Sequence, residues 1–163
     1  MPADIEPDAS ASLLTDRADG PSGWWPATMN VLMIEDNPLD ARAAGRGLAA
    51  WQTAPDVVHH ADGDAALAHL RDASAVRPDL VLLDLNLPGS DGHDVLRMLK
   101  NDPDLRSIPV IVMTTSEAGH DIDLSYELGA NAFVTKPADL EGWREVLGQI
   151  ERFWVGVAKL PGS

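Results

Sequence analysis

The sequence predicts an α/β fold in which helices wind around both faces of a parallel sheet. Short apolar runs recur between turn formers, namely Asn30-Val31-Leu32-Met33-Ile34, Leu80-Val81-Leu82-Leu83 and Val110-Ile111-Val112-Met113. Runs without polar alternation mark strands buried on both faces. Segments with helical period separate them, and that alternation implies right-handed crossovers. At 163 residues and 17.4 kDa, one domain plus appendages is expected, large enough to bury about two-thirds of its unfolded surface around a single core.

Residues 1 to about 27 are rich in Ala, Asp, Ser, Pro and Gly and lack a sustained period. They predict a mobile arm, with Trp24 and Trp25 folding back as an apolar latch. Docking of that arm on a partner or a second subunit is the alternative. The domain proper is expected over 28–150, with a C-terminal extension over 151–163. Its first strand ends in Glu35-Asp36, and Asn37-Pro38-Leu39-Asp40 then opens a helix. Asn37 serves as N-cap, Pro38 takes the first helical position, and Asp40 lies near the positive end of the dipole. Small residues suited to close packing against a sheet carry the helix from Ala41 to about Trp51. A strand follows around Asp56 to His60, then a helix from about Gly63 to Arg71 that turns Ala66, Leu67 and Leu70 inward.

Pro78 precedes the central strand, which stops at Asp84. The loop Pro88-Gly89-Ser90-Asp91-Gly92 leads into a helix carrying Val95, Leu96 and Leu99. The strand beginning at Pro109 ends at Thr114-Thr115-Ser116, and a helix from about Asp121 to Leu128 stops at Gly129. Ala132-Phe133-Val134-Thr135 is the last strand, ending at Lys136-Pro137. Beyond it, Leu140, Trp143, Leu147, Ile150, Trp154 and Val157 are spaced by three and four, and Val146, Phe153 and Leu160 widen the stripe. An extended C-terminal helix of about 20 residues would run roughly 30 Å and overhang the sheet. Phe153, Trp154, Val157 and Leu160 would then pair with a second subunit in a homodimer, the alternative being that Phe153 and Trp154 cap the domain core. Gly142, Gly148 and Gly156 lower the intrinsic helicity of that stretch.

Composition excludes several classes. There is no cysteine, hence no disulfide framework or thiolate metal site. The net charge of −14, from 26 acidic and 12 basic residues, opposes binding to a nucleic acid or an anionic membrane. No apolar run is long enough to span a bilayer, and the acidic start Met1-Pro2-Ala3-Asp4-Ile5-Glu6 is unlike a signal peptide, so a cytoplasmic protein is expected. The five histidines, His59, His60, His69, His93 and His120, lack ligand spacing and read as ordinary surface residues.

The functional signal lies at the strand ends. Glu35, Asp36, Asp84, Thr114 and Lys136 all fall where strands of an open α/β sheet deliver their site residues. Converging carboxylates repel, and a hard divalent cation relieves that repulsion; Mg²⁺ accepts a few carboxylate oxygens while keeping positions free for phosphoryl oxygens. Asp84 is then a candidate nucleophile forming an acyl phosphate. Lys136 and the Thr114 hydroxyl would hold other oxygens of the transferred group.

These residues resemble the receiver domains of two-component response regulators over roughly residues 29 to 150. The likeness rests on the acidic pair after the first strand, Asp84 followed by Pro88 and Gly92, Thr114 after the fourth strand, and Lys136-Pro137 after the fifth. It implies a flavodoxin-like sheet of order 2-1-3-4-5 with five helices. It also implies Mg²⁺ held by Glu35, Asp36, Asp84 and the backbone carbonyl of Asn86, phosphorylation of Asp84, and a switch built from Thr114 and Phe133. Ile34-Glu35-Asp36-Asn37-Pro38-Leu39-Asp40, Thr114-Thr115-Ser116-Glu117 and Phe153-Trp154-Val155 through Lys159-Leu160-Pro161 look most like single-domain regulators that partner phytochrome-type histidine kinases. A bacteriophytochrome kinase is therefore the expected partner. With the sequence ending at Ser163, output is expected through protein contacts or phosphorelay, without turnover of outside substrates. The alternatives are a metal-dependent phosphatase with an aspartyl nucleophile, disfavoured by Asn86 where a second acid belongs, and a scaffold that is not phosphorylated.

Overall fold

A computed structural model describes residues 28–161. The expected arm with Trp24 and Trp25 lies outside the described residues. Five parallel strands form the sheet: β1 (Asn30–Ile34), β2 (Asp56–His60), β3 (Leu80–Leu83), β4 (Val110–Thr114) and β5 (Ala132–Thr135). In this numbering the order is β2-β1-β3-β4-β5, as the resemblance implies. Helices α1 (Pro38–Ala49), α2 (Gly63–Arg71), α3 (Gly92–Asn101), α4 (Gly119–Glu127) and α5 (Leu140–Ile150) alternate with them. No helix among the described residues is long and apolar enough to cross a membrane.

The sheet divides the core in two. On one side Val31, Met33, Leu80, Leu82, Ile111 and Met113 meet α1 and α5 through Ala44, Leu48, Trp143 and Leu147. On the other, Leu32, Ile34, Val81, Leu83 and Val112 meet α2 and α3 through Ala66, Leu67, Val95, Leu96 and Leu99. β3 is buried at all four positions, as its unbroken apolar run requires. Gly47 lets the Leu147 side chain close against α1, so the small residues of α1 serve the α1–α5 contact as well as the sheet. Asn37 caps α1, its side-chain oxygen accepting from Leu39 N at 2.9 Å. That helix ends at Ala49, two residues before the expected limit, and Trp51 turns into the core at 4% exposure.

Three further features depart from the sequence reading. The loop after Asp84 contains a short hairpin that pairs Asn86 with Asp91 and Leu87 with Ser90, turning at Gly89 with φ of 71°, a conformation natural to glycine. His93 is buried at 6% exposure rather than lying on the surface. The C-terminal stripe keeps α geometry only to Ile150. It continues as a five-residue π-turn, Glu151–Val155, in which Gly156 N–H donates to Glu151 O at 3.2 Å. The long overhang is thus shortened: Val155 and Leu160 fold into the domain's core, while Phe153 and Val157 remain 53% and 66% exposed.

Gly92 starts α3 in contact with the end of β3. A Cβ there would run into Leu85 Cα and lie 2.5 Å from Asp84 O. Gly92→Ala is expected to cost about 1–3 kcal/mol in urea denaturation. Gly45→Ala, inside α1 with nothing within 4 Å of the new Cβ, is expected instead to stabilise by about 0.5–1 kcal/mol.

Candidate functional site

Each site residue sits at the carboxyl end of a strand because the apolar run before it ends there. Glu35 and Asp36 follow β1, Asp84 follows β3, Thr114 closes β4 and Lys136 follows β5. Asp84, Glu35 and Thr114 are 4%, 5% and 0% exposed. The Lys136 ammonium reaches three carboxylates at once: Glu35 Oε2 at 2.6 Å, Asp84 Oδ2 at 2.8 Å and Asp40 Oδ2 at 3.0 Å. Asp84 Oδ1 accepts the Asn86 N–H at 3.1 Å, and the Asn86 side-chain amide donates to Thr114 Oγ1 at 3.3 Å. Glu35 Oε1 accepts the Asn37 N–H at 3.0 Å. His59 Nε2 lies 2.7 Å from Glu35 O, bracing the turn that carries the acidic pair.

Burial pushes the Glu35 carboxyl up to about 6 from an ordinary value of 4.5, against the opposing pull of Lys136 and the Asn37 amide. For Lys136, burial works against the charged form, but the bonds to Asp84, Glu35 and Asp40 outweigh it and raise the pKa. One cation therefore serves a rim that carries a surplus of negative charge. Glu35, Asp36 and Asp84 each offer an oxygen within 4.8 Å of the others. Oxygens sharing one Mg²⁺ lie roughly 3–4 Å apart, from metal–oxygen bonds of about 2.1 Å, so small side-chain rotations would close the set. An all-oxygen donor set suits a hard divalent cation.

The structure brings Glu35, Asp36, Asp84, Asn86, Thr114 and Lys136 together. Phe133 stands apart on β5, half-buried against the α2–α3 side of the core, with its N–H donating to the Tyr126 hydroxyl at 3.2 Å. Phe153 and Trp154 lie away from this rim, their rings edge to face with centroids 5.2 Å apart. Sequence reasoning assigned Asp40 to the helix dipole and missed its bond to Lys136. Its place in the first turn after a rim strand was the available signal.

The model of the response regulator receiver domain matches residues 31–147, and the chain belongs to that family. The Synechocystis response regulator Rcp1 is 38% identical over 137 residues, covering 82% of this chain and 93% of Rcp1. Among solved structures, the phosphorylated cyanobacterial phytochrome response regulator RcpA is 42% identical with a TM-score of 0.80, covering 83% of this chain and 99% of that one. The Mn²⁺-bound form of Rcp1 is 38% identical with a TM-score of 0.77, covering 82% and 99%.

Because the Glu35 pKa lies above its ordinary value, the protonated form stabilises the fold below about pH 4.5, and that contribution is lost as pH rises through about 6. In metal-free buffer at pH 8, Glu35→Gln is therefore expected to exceed the wild type by about 2 kcal/mol, a difference that disappears near pH 4. Urea denaturation across that range measures it. Lys136→Met leaves two buried carboxylates without their cation and is expected to cost about 3 kcal/mol at pH 8 by the same assay.

Proposed function

We propose that this chain is a phosphoaccepting signalling module in which Asp84 takes a phosphoryl group from a phosphohistidine of a histidine kinase. The observation that carries this reading is the single ammonium of Lys136 bonded at once to Asp84 and Glu35, beside a third acidic oxygen from Asp36. Glu35, Asp36, Asp84 and the backbone carbonyl of Asn86 would hold Mg²⁺. When bound, that ion supplies positive charge to the oxygens of the transferred group.

The chain's own residues do the rest. An ionised Asp84 oxygen attacks phosphorus, the N–P bond of the phosphohistidine breaks, and the imidazole leaves with the bonding electrons and takes a proton. No general base is needed, since the carboxylate attacks ionised. Lys136 moves from compensating Asp84 to compensating the phosphoryl group, and the Thr114 hydroxyl turns from Asn86 toward another of its oxygens. That shift makes room beside β4 for Phe133 to turn inward, altering the face built from α4, β5 and α5. Asn86, whose amide is a donor to Thr114, stands where an aspartyl phosphatase would carry its second acid. The chain is therefore proposed to catalyse its own phosphorylation and slow dephosphorylation only.

The likeness to RcpA supports a bacteriophytochrome as the kinase. Residues 28–150 act as the receiver in this reading, and the segment after Ile150 is the contact for a homodimer. Phe153 and Val157 are its exposed apolar pair, with Trp154 behind them and Leu160 already spent on the protomer's core.

Incubation with acetyl phosphate and Mg²⁺ is expected to give one hydroxylamine-labile phosphoryl group per chain, absent in Asp84→Asn and abolished by EDTA. Sustained turnover of an added phosphoester would instead establish a phosphatase, and no label at all a scaffold. A light-dependent label from a phytochrome kinase tests the partner. Sedimentation of Phe153→Ser with Val157→Ser tests the dimer, which is expected to dissociate.

A further inference from the structure

Helix α4 is held by few apolar contacts. Its fully buried residue is Ser125, and Ile122 and Leu124 are only half-buried. Polar side chains fasten it instead: near its end the Tyr126 hydroxyl accepts the Phe133 N–H at 3.2 Å, and two further contacts lie toward the site. In its first turn the Asp121 carboxylate accepts from Ser116 Oγ, and the Ser116 N–H donates to Thr114 Oγ1 at 3.3 Å. One turn later the buried His93 ring reaches across from α3. Its Nε2 lies 3.2 Å from Ser125 Oγ and 3.4 Å from Asp121 O, and Ser125 Oγ itself donates to Asp121 O at 2.7 Å.

The two fastenings differ in what stands behind them. The Ser116–Asp121 contact ends on the Thr114 hydroxyl, a rotatable group already shared with Asn86. The His93 contact ends on the capped start of α3. Asp91 Oδ1 accepts the His93 N–H at 2.9 Å and lies 3.4 Å from its Nδ1, while Gly92 N–H donates to Leu85 O at 3.0 Å. The close approach at Gly92 leaves this end of α3 no slack.

We propose that His93 is a positioning residue: its contact with Ser125 is the pivot of α4, and the Ser116–Asp121 contact is the end released when Thr114 is drawn toward a phosphoryl group. This rests on phosphorylation of Asp84. Reorienting the Thr114 hydroxyl weakens its bond to the Ser116 N–H and frees the first turn, while Ser125 stays pinned. The helix therefore swings about its last turn and does not slide along the sheet.

Hydrogen exchange of the α4 amides, with and without acetyl phosphate and Mg²⁺, tests this. In the wild type, phosphorylation is expected to speed exchange about tenfold over residues 121–123 and to leave 125–128 unchanged. His93→Leu is expected to speed exchange at 125–128 about tenfold even without phosphodonor, with the β1 and β3 amides and the phosphoryl stoichiometry of Asp84 unchanged. His93→Gln, which restores an N–H donor toward Ser125, is expected to recover the wild-type pattern. Should His93→Leu not fold, Ser125→Ala removes the same contact from the other helix and is expected to loosen the same residues. Wild-type exchange at 125–128 in a folded variant overturns the pivot, as does loosening spread evenly over the sheet. Failure of Asp84 to take a label overturns the proposed function instead, and the effect of His93→Leu on the unphosphorylated helix remains a separate readout.

Discussion

The ammonium of Lys136 is the charge on which the rim depends. Its side chain is 4% exposed and its three partners come from two different segments, with Glu35 and Asp40 on either side of the start of α1 and Asp84 from the end of β3. An apolar sheet that delivers carboxylates to one edge creates an electrostatic problem, and a single lysine on the edge strand answers part of it. Desolvation makes the buried carboxylates costly once their one cation is gone, so removing Lys136 is worse than never having had the pair. In the proposed reading, the charge left over would give the rim its affinity for a divalent cation and, through it, for a phosphoryl group.

That arrangement also explains why the surroundings are rigid on one side and loose on the other. Around Asp84 the backbone is tightly constrained, with the Asn86 N–H turned back to Asp84 and Gly92 pressed against Leu85. Around Thr114 the contacts are made by hydroxyls and amides with several possible partners. A site that has to receive a new charge and report it needs both: a fixed acceptor, and a neighbour whose hydrogen bonds exchange at little cost.

The fold is legible in the sequence because the strands are apolar runs bounded by turn formers. β2, α2 and β5 lie where the residue pattern places them, and Asn37-Pro38 opens α1 as its capping chemistry predicts. The gathering of Glu35, Asp36, Asp84, Thr114 and Lys136 is legible for a related reason: strand ends of a parallel sheet share one edge. Asp40 and His93 are not legible in this way. A helix-start aspartate looks the same whether it faces water or a lysine, and a histidine two residues past an N-cap gives no sign that a serine on the next helix covers it. The Asn86–Asp91 hairpin is hidden too, since two residues per strand leave no alternation to detect.

Beyond Ile150 the pattern of threes and fours suggests a single helix, but the chain inserts a wider turn. A π-turn amounts to one additional residue within an α-helix, and each residue of a helix advances about 100°. The direction in which the tail looks is thus governed by how many residues separate Ile150 from Gly156, whatever their hydrophobicity. One residue fewer would turn the tail by about 100°, drawing Val155 out of its buried position toward the half-buried one that Trp154 now holds, with no change in its chemistry. Length, at this point in the chain, is itself a determinant of which face the protein offers to its surroundings.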